Sequence, residues 1–221
     1  MDCITCKQEM IHLEKDLFIC NRCALISSNI SPDPSIYDRS YEIKYSRYES
    51  TPTGEKIQKM RFECVMRHIQ FMPRIRLLDF GCGVGSFLKM FLEPRVKTTG
   101  FDINPYTQFC DVTALFGKYE VVTFWDSIEH LKTPHTIIQA LSPEYLFVCT
   151  PSTDDSEHIT KWRHYMPVEH CHYFNEQSLV ALIKACGYEI LEVNYNESGP
   201  RDGGGDKNIL TIAAKRTHGT H

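Results

Sequence analysis

Four cysteines fall as two pairs, Cys3-x2-Cys6 and Cys20-x2-Cys23, with 13 residues between the pairs. Each pair fits a tight turn, and four thiolates then close a tetrahedron around Zn²⁺. Iron in the same all-sulfur geometry and a pair of disulfides are the alternatives. Sulfur fills every ligand position, so no open site remains for catalysis and the predicted role is structural. Residues 1–28 are too few to hold a fold by burial alone, so the metal is expected to fold them. Such a ribbon either packs against the rest of the chain or docks a substrate or partner.

The run Asp79-Phe80-Gly81-Cys82-Gly83-Val84-Gly85 follows a strand pattern and is expected to open a helix. Glycines there let the backbone turn sharply and let a ligand lie against the main chain. Nicotinamide and flavin enzymes share such a turn, which can also be a plain strand–helix connection. Two features favour S-adenosylmethionine. Asp79 precedes the glycines, where it repels a pyrophosphate and welcomes a sulfonium or amino group. Asp102 ends the next strand, 17 residues after Gly85, where its carboxylate can accept both ribose hydroxyls.

Two further stretches carry titratable groups. Residues 162–174 (WRHYMPVEHCHYF) follow a strand end, where ligands of open α/β sheets bind. His170 can act as a base near neutral pH, with the adjacent Glu169 orienting it. Alternatively, His170 and His172 satisfy the loop backbone, or His164, His170, Cys171 and His172 hold a second metal. Earlier, Tyr37, Tyr41, Tyr45 and Tyr48 recur every three to four residues. On a helix they form one stripe, either a packing face or a lid over a cofactor or substrate. Arg47 and Arg61 are candidate partners for a cofactor carboxylate.

The elements that must position these groups alternate. Ile57, Met60, Cys64, Val65, Ile69 and Met72 share one helical face, and Pro73 ends it. Strand patterns occupy 74–81, 96–102, 119–126, 144–151, 188–195 and 208–215. Helices are expected at 86–93, at 134–142 with Pro134 in the first turn, and at 175–187 between Asn175 and Gly187. The pattern predicts a Rossmann-like α/β fold. Its sheet is mostly parallel, with helices on both faces, and closes with an antiparallel hairpin across SGPRDGGGDK. Three regions follow: a zinc ribbon at 1–28, a Tyr-rich linker or lid at 29–55, and an α/β domain at 56–221.

Composition is that of a soluble globular protein, with 42% apolar and 24% charged residues. The formal charge is −4, and no long basic run marks a nucleic-acid face. No apolar stretch reaches the roughly 18 residues that span a bilayer, and the N-terminus is no secretory signal. The remaining six cysteines are scattered singly, which points to a reducing, cytoplasmic compartment.

LLDFGCGVGSFL, GFDINP and YEVVTFWDSIEHL together resemble the successive motifs of class I S-adenosylmethionine-dependent methyltransferases, over residues 56–215. The third segment, with Pro134 soon after, is most similar to small-molecule and sugar methyltransferases. The resemblance implies that Gly81, Gly83 and Gly85 pass under the methionine moiety and that Asp102 binds the ribose. It implies that Ile103 lies against the adenine, that Asp111 accepts from its amino group, and that Trp125 and Asp126 line the methionine side. His130 is then a supporting residue. Related enzymes with N-terminal ribbons carry a similar Tyr-rich segment, which adds Tyr37 and Tyr41. Glu169-His170 resembles the Glu-His of deoxysugar C-methyltransferases, where the histidine is the base; those enzymes have a C-terminal domain that this chain lacks. Another departure is that 17 residues between Asp102 and Glu120 leave no room for the family's third strand with its helices.

The expected activity is therefore methyl transfer to a small polar metabolite, a sugar or nucleotide-linked sugar. A macromolecular acceptor docked by the ribbon and a non-catalytic scaffold are the competing readings.

Overall fold

The computed structural model describes residues 1–202 and 207–217; residues 203–206, with the glycines at 203–205, and the tail from 218 lie outside the described residues. A six-stranded sheet forms the centre. Its strands are β4 (Ile75–Phe80), β5 (Val96–Phe101), β6 (Val121–Trp125), β7 (Tyr145–Pro151), β9 (Tyr188–Asn194) and β10 (Ile209–Arg216), in the order β5-β4-β6-β7-β10-β9. β5, β4, β6 and β7 run parallel. β10 pairs antiparallel with both β7 and β9, which is the expected closing hairpin.

The period-2 alternation of these strands builds two cores. Leu78, Phe80, Val122, Phe124, Leu146 and Val148 face α3 (Pro134–Leu141) and α4 (Glu176–Ala185), and Leu210 and Ile212 of β10 join them. Leu77, Val121, Phe147 and Cys149 face the opposite way, against Cys64, Val65 and Ile69 of α2 (Pro52–Ile69). Side chains such as Phe124 and Phe147 are fully buried, each contributing about 1.5–3 kcal/mol by leaving water.

Local chemistry sets the helix ends. α4 carries a capping box: the Asn175 side chain accepts from Ser178 N at 2.8 Å, and Asn175 N donates to Ser178 Oγ at 3.0 Å. Gly187, just past this helix, takes φ +89°. α2 begins earlier than its apolar periodicity suggests, because Thr51 caps it and Pro52 fills its first turn. The expected regional division at 55/56 therefore falls inside α2.

Two expectations about connections meet different outcomes. The helix expected at 86–93 is a single 3₁₀ turn, Leu88–Met90. Phe87 buries its ring against Trp125 with centroids 5.3 Å apart, and the half-buried Phe91 packs on Phe62 at 5.0 Å. Pro94 then closes the segment before β5. Between β5 and β6 there is only a 3₁₀ turn, Val112–Phe116, so β5 is the edge of the sheet where a third family strand would otherwise stand.

The N-terminal segment makes a second, antiparallel sheet from β1 (Ile11–Glu14), β2 (Leu17–Ile19) and β3 (Ile26–Ser28). Its fourth strand comes from far along the chain: β3 pairs with β8 (His172–Tyr173). Cys3, Met10, Cys20, Cys23 and Leu25 are buried in the same core as α3 and α4. Between the two sheets lies α1 (Arg39–Glu49), capped by Asp38, followed directly by α2. Ser198–Asp202 forms a short helix, α5, within the sequence that joins β9 to β10.

Candidate functional site

A cavity of about 370 Å³ opens at the carboxyl ends of β4 and β6, where open α/β sheets bind ligands. Asp79, Gly81, Gly83, Asp102, Ile103, Trp125, Asp126, Tyr37, Tyr41, Glu169 and His170 all line it. Gly85 and Asp111 are not brought to it.

The glycine turn shows why each glycine is there. Gly81, Gly83 and Gly85 have φ of +79°, +55° and +76°, the left-handed region that disfavours side chains. A Cβ on Gly81 would meet Ser127 Cβ at 2.5 Å, and one on Gly85 would meet the Phe109 ring at 2.6 Å. Those two are required by packing. Gly83 faces the cavity, where a Cβ would stand 3.4 Å from Glu49 Oε1. The Gly83 N–H donates to Asp102 Oδ2 at 2.7 Å, and Asn104 N donates to Oδ1 at 2.8 Å. Each Asp102 oxygen thus keeps a lone pair for a further donor. Ile103 beside it is 59% exposed, an uncovered apolar flank of the cavity. Asp111 is exposed, and its carboxylate caps its own turn through Thr113 N; the missing third strand leaves nothing to hold it over the cavity.

Asp79 is buried, and its carboxylate accepts from the Thr123 hydroxyl at 2.7 Å. Burial pushes its pKa up to about 7, although the Thr123 bond and nearby Arg61 pull it down.

Asp126 has φ +52° and belongs to a buried ion network. Arg61 Nη2 lies 2.6 Å from its Oδ2, while Arg201 donates to both oxygens at 2.9 and 2.7 Å. Arg61 also holds Glu197 at 2.9 Å through two donors. Burial alone would raise the Asp126 carboxyl, yet Arg201 and Arg61 hold it well below the usual carboxylate range. Asp126 thus lines the cavity with its carboxylate committed to two arginines. Arg61 lines the cavity equally committed, whereas Arg47 is exposed and away from it.

The tyrosine stripe is helical. Tyr41, Tyr45 and Tyr48 stand on α1 with Tyr37 just before it, and all four line the cavity. The rings interlock, Tyr37 on Tyr41 at 5.1 Å and Tyr41 on Tyr45 at 4.4 Å between centroids. The same helix delivers Glu49, which the sequence reading missed. Its Oε2 is buried without a hydrogen-bond partner among the described residues, and burial raises its pKa.

His170 meets a different carboxylate from the one expected. Glu169 is approached by the Tyr41 hydroxyl at 3.5 Å, so it belongs with the lid. Glu129 and His130, on the turn after β6, are the groups gathered with His170. The His130 and His170 rings lie 4.9 Å apart, and Tyr37 Oη lies 3.0 Å from His130 Nδ1. Burial pushes the His170 imidazole down to about 3 and the His130 imidazole to about 4, while it pushes Glu129 up to about 8. His170 is neutral at physiological pH but holds a proton too weakly to match a lone base for neutral conditions.

His172 has a structural role. It lies 2.8 Å from Ser27 Oγ through Nδ1 and donates from Nε2 to the Lys132 carbonyl at 3.2 Å. With Cys171 N donating to the Glu129 carbonyl at 2.8 Å, the ribbon, the 170–172 segment and the turn after β6 are stitched together. Signals for Glu129 and His130 were present in the sequence: a Glu-His pair directly after a strand's carboxyl end.

The four ribbon cysteines converge. Their sulfurs lie within 4.8 Å of one another, with Cys3–Cys23 at 3.5 Å, Cys6–Cys20 at 3.3 Å and Cys6–Cys23 at 4.0 Å. Zinc–sulfur bonds of about 2.3 Å put tetrahedral sulfurs about 3.8 Å apart, so the donor set fits that ion. No helix is long and apolar enough to cross a membrane among the described residues.

Residues 57–193 match a family model described as a methyltransferase domain. No curated protein matches the sequence. The fold is similar to that of magnesium protoporphyrin IX methyltransferase from Synechocystis PCC 6803 with bound S-adenosylhomocysteine. That match has a TM-score of 0.60 and 16% identity, and covers 83% of this chain and 98% of the other. A Burkholderia thailandensis 1,6-didemethyltoxoflavin-N1-methyltransferase gives a TM-score of 0.54 at 17% identity, over 95% of this chain and 100% of the other. An S-adenosylmethionine-dependent methyltransferase from Archaeoglobus fulgidus gives 0.55 at 15%, over 81% and 100%. The family model spans more than half of the chain, which therefore belongs to the methyltransferase-domain family, the class I enzymes that use S-adenosylmethionine.

Proposed function

We propose that this enzyme methylates a small polar metabolite in the cavity under the tyrosine helix, with a sugar or nucleotide-linked sugar as the first candidate. The observation that carries this reading is the cavity itself: a glycine backbone, an acid at each end and an aromatic lid converge on one space of about 370 Å³.

The residues fit S-adenosylmethionine. The Gly83 backbone offers a surface without a side chain, and the orphaned Glu49 Oε2 and buried Asp79 suit a cationic ligand. Asp102 would take the ribose hydroxyls with its remaining lone pairs, and the exposed face of Ile103 would take the adenine. Trp125, whose indole N–H has no partner among the described residues, would flank the methionine end. Bound there, the cofactor supplies an electrophilic methyl group. The chain's part is to align an acceptor with it, and positioning of this kind accounts for most of the catalysis in such transfers. Tyr37 and Tyr41 would close over both ligands and exclude water.

We read residues 1–28 as a zinc ribbon, 29–55 as the lid and 56–221 as the methyltransferase domain, with α2 bridging the last two. Zinc in the ribbon would be structural. It would hold β3, and through β3 the strand β8 that follows His170. Ten unpaired cysteines suit a reducing, cytoplasmic setting. Two solved neighbours are named as methyltransferases of small molecules, a porphyrin and a toxoflavin precursor, and another as a small RNA methyltransferase, so the acceptor class rests on the cavity.

The test is methyl transfer from radiolabelled S-adenosylmethionine to a cell extract separated into small-molecule, RNA and protein fractions. Label is expected in the small-molecule fraction. Label confined to RNA or protein would replace this acceptor class with a macromolecule.

A further inference from the structure

Glu129, His130 and His170 line the same cavity, and none of them is needed to hold the cofactor. Glu129 is 2% exposed, and its Oε2 has no hydrogen-bond partner among the described residues. A buried carboxylate oxygen without a partner costs free energy that folding must offset. One ligand atom from each of the three residues lies within 4.8 Å of the others. With metal–ligand bonds of about 2.0–2.2 Å, shifts of under about 1 Å per side chain bring all three onto one ion.

The surroundings are those of a metal centre. Tyr37 Oη engages His130 Nδ1, and the His164 carbonyl engages the His170 ring. Each imidazole is therefore oriented by a hydrogen bond at one ring nitrogen, the kind of support that ligating histidines usually have. The main chains are clamped as well. Cys171 N donates to the Glu129 carbonyl at 2.8 Å, and Cys171 Sγ lies 3.2 Å from the His130 carbonyl. The three residues also line the cavity, so coordination positions would remain open toward a ligand.

We propose that Glu129, His130 and His170 form a second metal centre, separate from the cysteine quartet, which takes a divalent first-row transition ion. Two imidazoles and one carboxylate with open positions suit Mn²⁺, Fe²⁺ or Zn²⁺. One carboxylate charge leaves the occupied centre net positive, so its open face would take an anionic or hydroxyl oxygen of the acceptor. That last role rests on the proposed methyl transfer; ion binding itself does not. In this arrangement His170 is a ligand rather than a free base.

The test uses full-length protein with its ribbon loaded with zinc, titrated with Mn²⁺ and followed by electron paramagnetic resonance of the free ion. One Mn²⁺ bound per chain is expected. Glu129→Gln and His170→Gln should each weaken it at least about tenfold, the scale of losses at metal sites when supporting groups are removed. Circular dichroism and retained ribbon zinc identify a folded variant, and either folded variant suffices. No Mn²⁺ bound by the unaltered protein, or binding that both variants keep, overturns the proposal. Titration of the same sample with S-adenosylhomocysteine separates the two readings. Cofactor binding without Mn²⁺ binding sinks the metal centre alone, and Mn²⁺ binding without cofactor binding sinks the methyltransferase site alone.

Discussion

Replacing Arg61 with methionine should cost this protein a large part of its stability. Arg61 is 7% exposed and sits between Glu197, at 2.9 Å, and Asp126, at 2.6 Å, with its guanidinium 5.1 Å from the centre of the Trp125 ring. Two arginines and two carboxylates make the buried network neutral. Methionine keeps the stem but removes one charge, leaving Glu197 and Asp126 with only Arg201 between them. Breaking a buried pair in this way costs roughly 3–5 kcal/mol, against total stabilities of about 5–15 kcal/mol for domains. In a protein of this size that lowers the melting temperature by roughly 6–20 °C. Asp126 contributes stability that is complete above its unfolded pKa near 3.8 and is lost only as pH falls through its depressed folded value. The Asp126 share of the deficit should therefore be flat from pH 6 to pH 8, while the loss of Arg61 also lets Asp79 titrate higher, so the total deficit should grow as pH rises past about 7. Urea unfolding of the zinc-loaded Arg61→Met variant measures it, and adding Glu197→Gln should recover a good part by removing the stranded charge. A loss below about 1 kcal/mol for Arg61→Met would refute the claim that this network is desolvated and mutually dependent.

Two further outcomes are expected. Stripping zinc with a chelator should unfold the ribbon, and because β3 pairs with β8 it should also raise amide exchange at 172–174; exchange confined to residues 1–28 would show that the ribbon is merely appended. Asp79 should couple cofactor binding to pH. Its folded pKa of about 7 lies above the unfolded 3.8, so the unliganded protein carries an extra proton between those values and loses stability as pH rises through that window. A cationic ligand pulls that pKa down, so binding should release close to one proton at about pH 6 and almost none at about pH 8.5. Calorimetry in buffers of different ionisation enthalpy measures the release, and its persistence in Asp79→Asn would assign the proton elsewhere.

What the sequence made legible was what local periodicity and short motifs encode. The apolar runs of β4, β6 and β7 and the apolar face of α2 were readable because each strand and helix buries its own pattern. The tyrosine spacing allowed a helical stripe, while the segment as a whole read as a linker or lid; α1 is the helix that carries it. The 3₁₀ turn at Leu88–Met90 was not legible, since its phenylalanines follow partners on α2 and β6 rather than a helical face. Asp111, which family resemblance put at the adenine, caps its own turn away from the cavity, at the point where this chain shortens the sheet. Glu129 and Glu49 went unnoticed because their significance is tertiary: Glu129 gathers with His170 from a distant part of the chain, and Glu49 of α1 comes close to Gly83.

The central claim, that this cavity is a cofactor site built on the glycine turn and Asp102, is tested most directly by calorimetric titration with S-adenosylhomocysteine. One site per chain is expected, with affinity falling at least about tenfold in Asp102→Ala as hydrogen bonds to a charged group, about 1.5–3 kcal/mol each, are lost. Absence of binding to folded, zinc-loaded protein, or equal binding by Asp102→Ala, would contradict it.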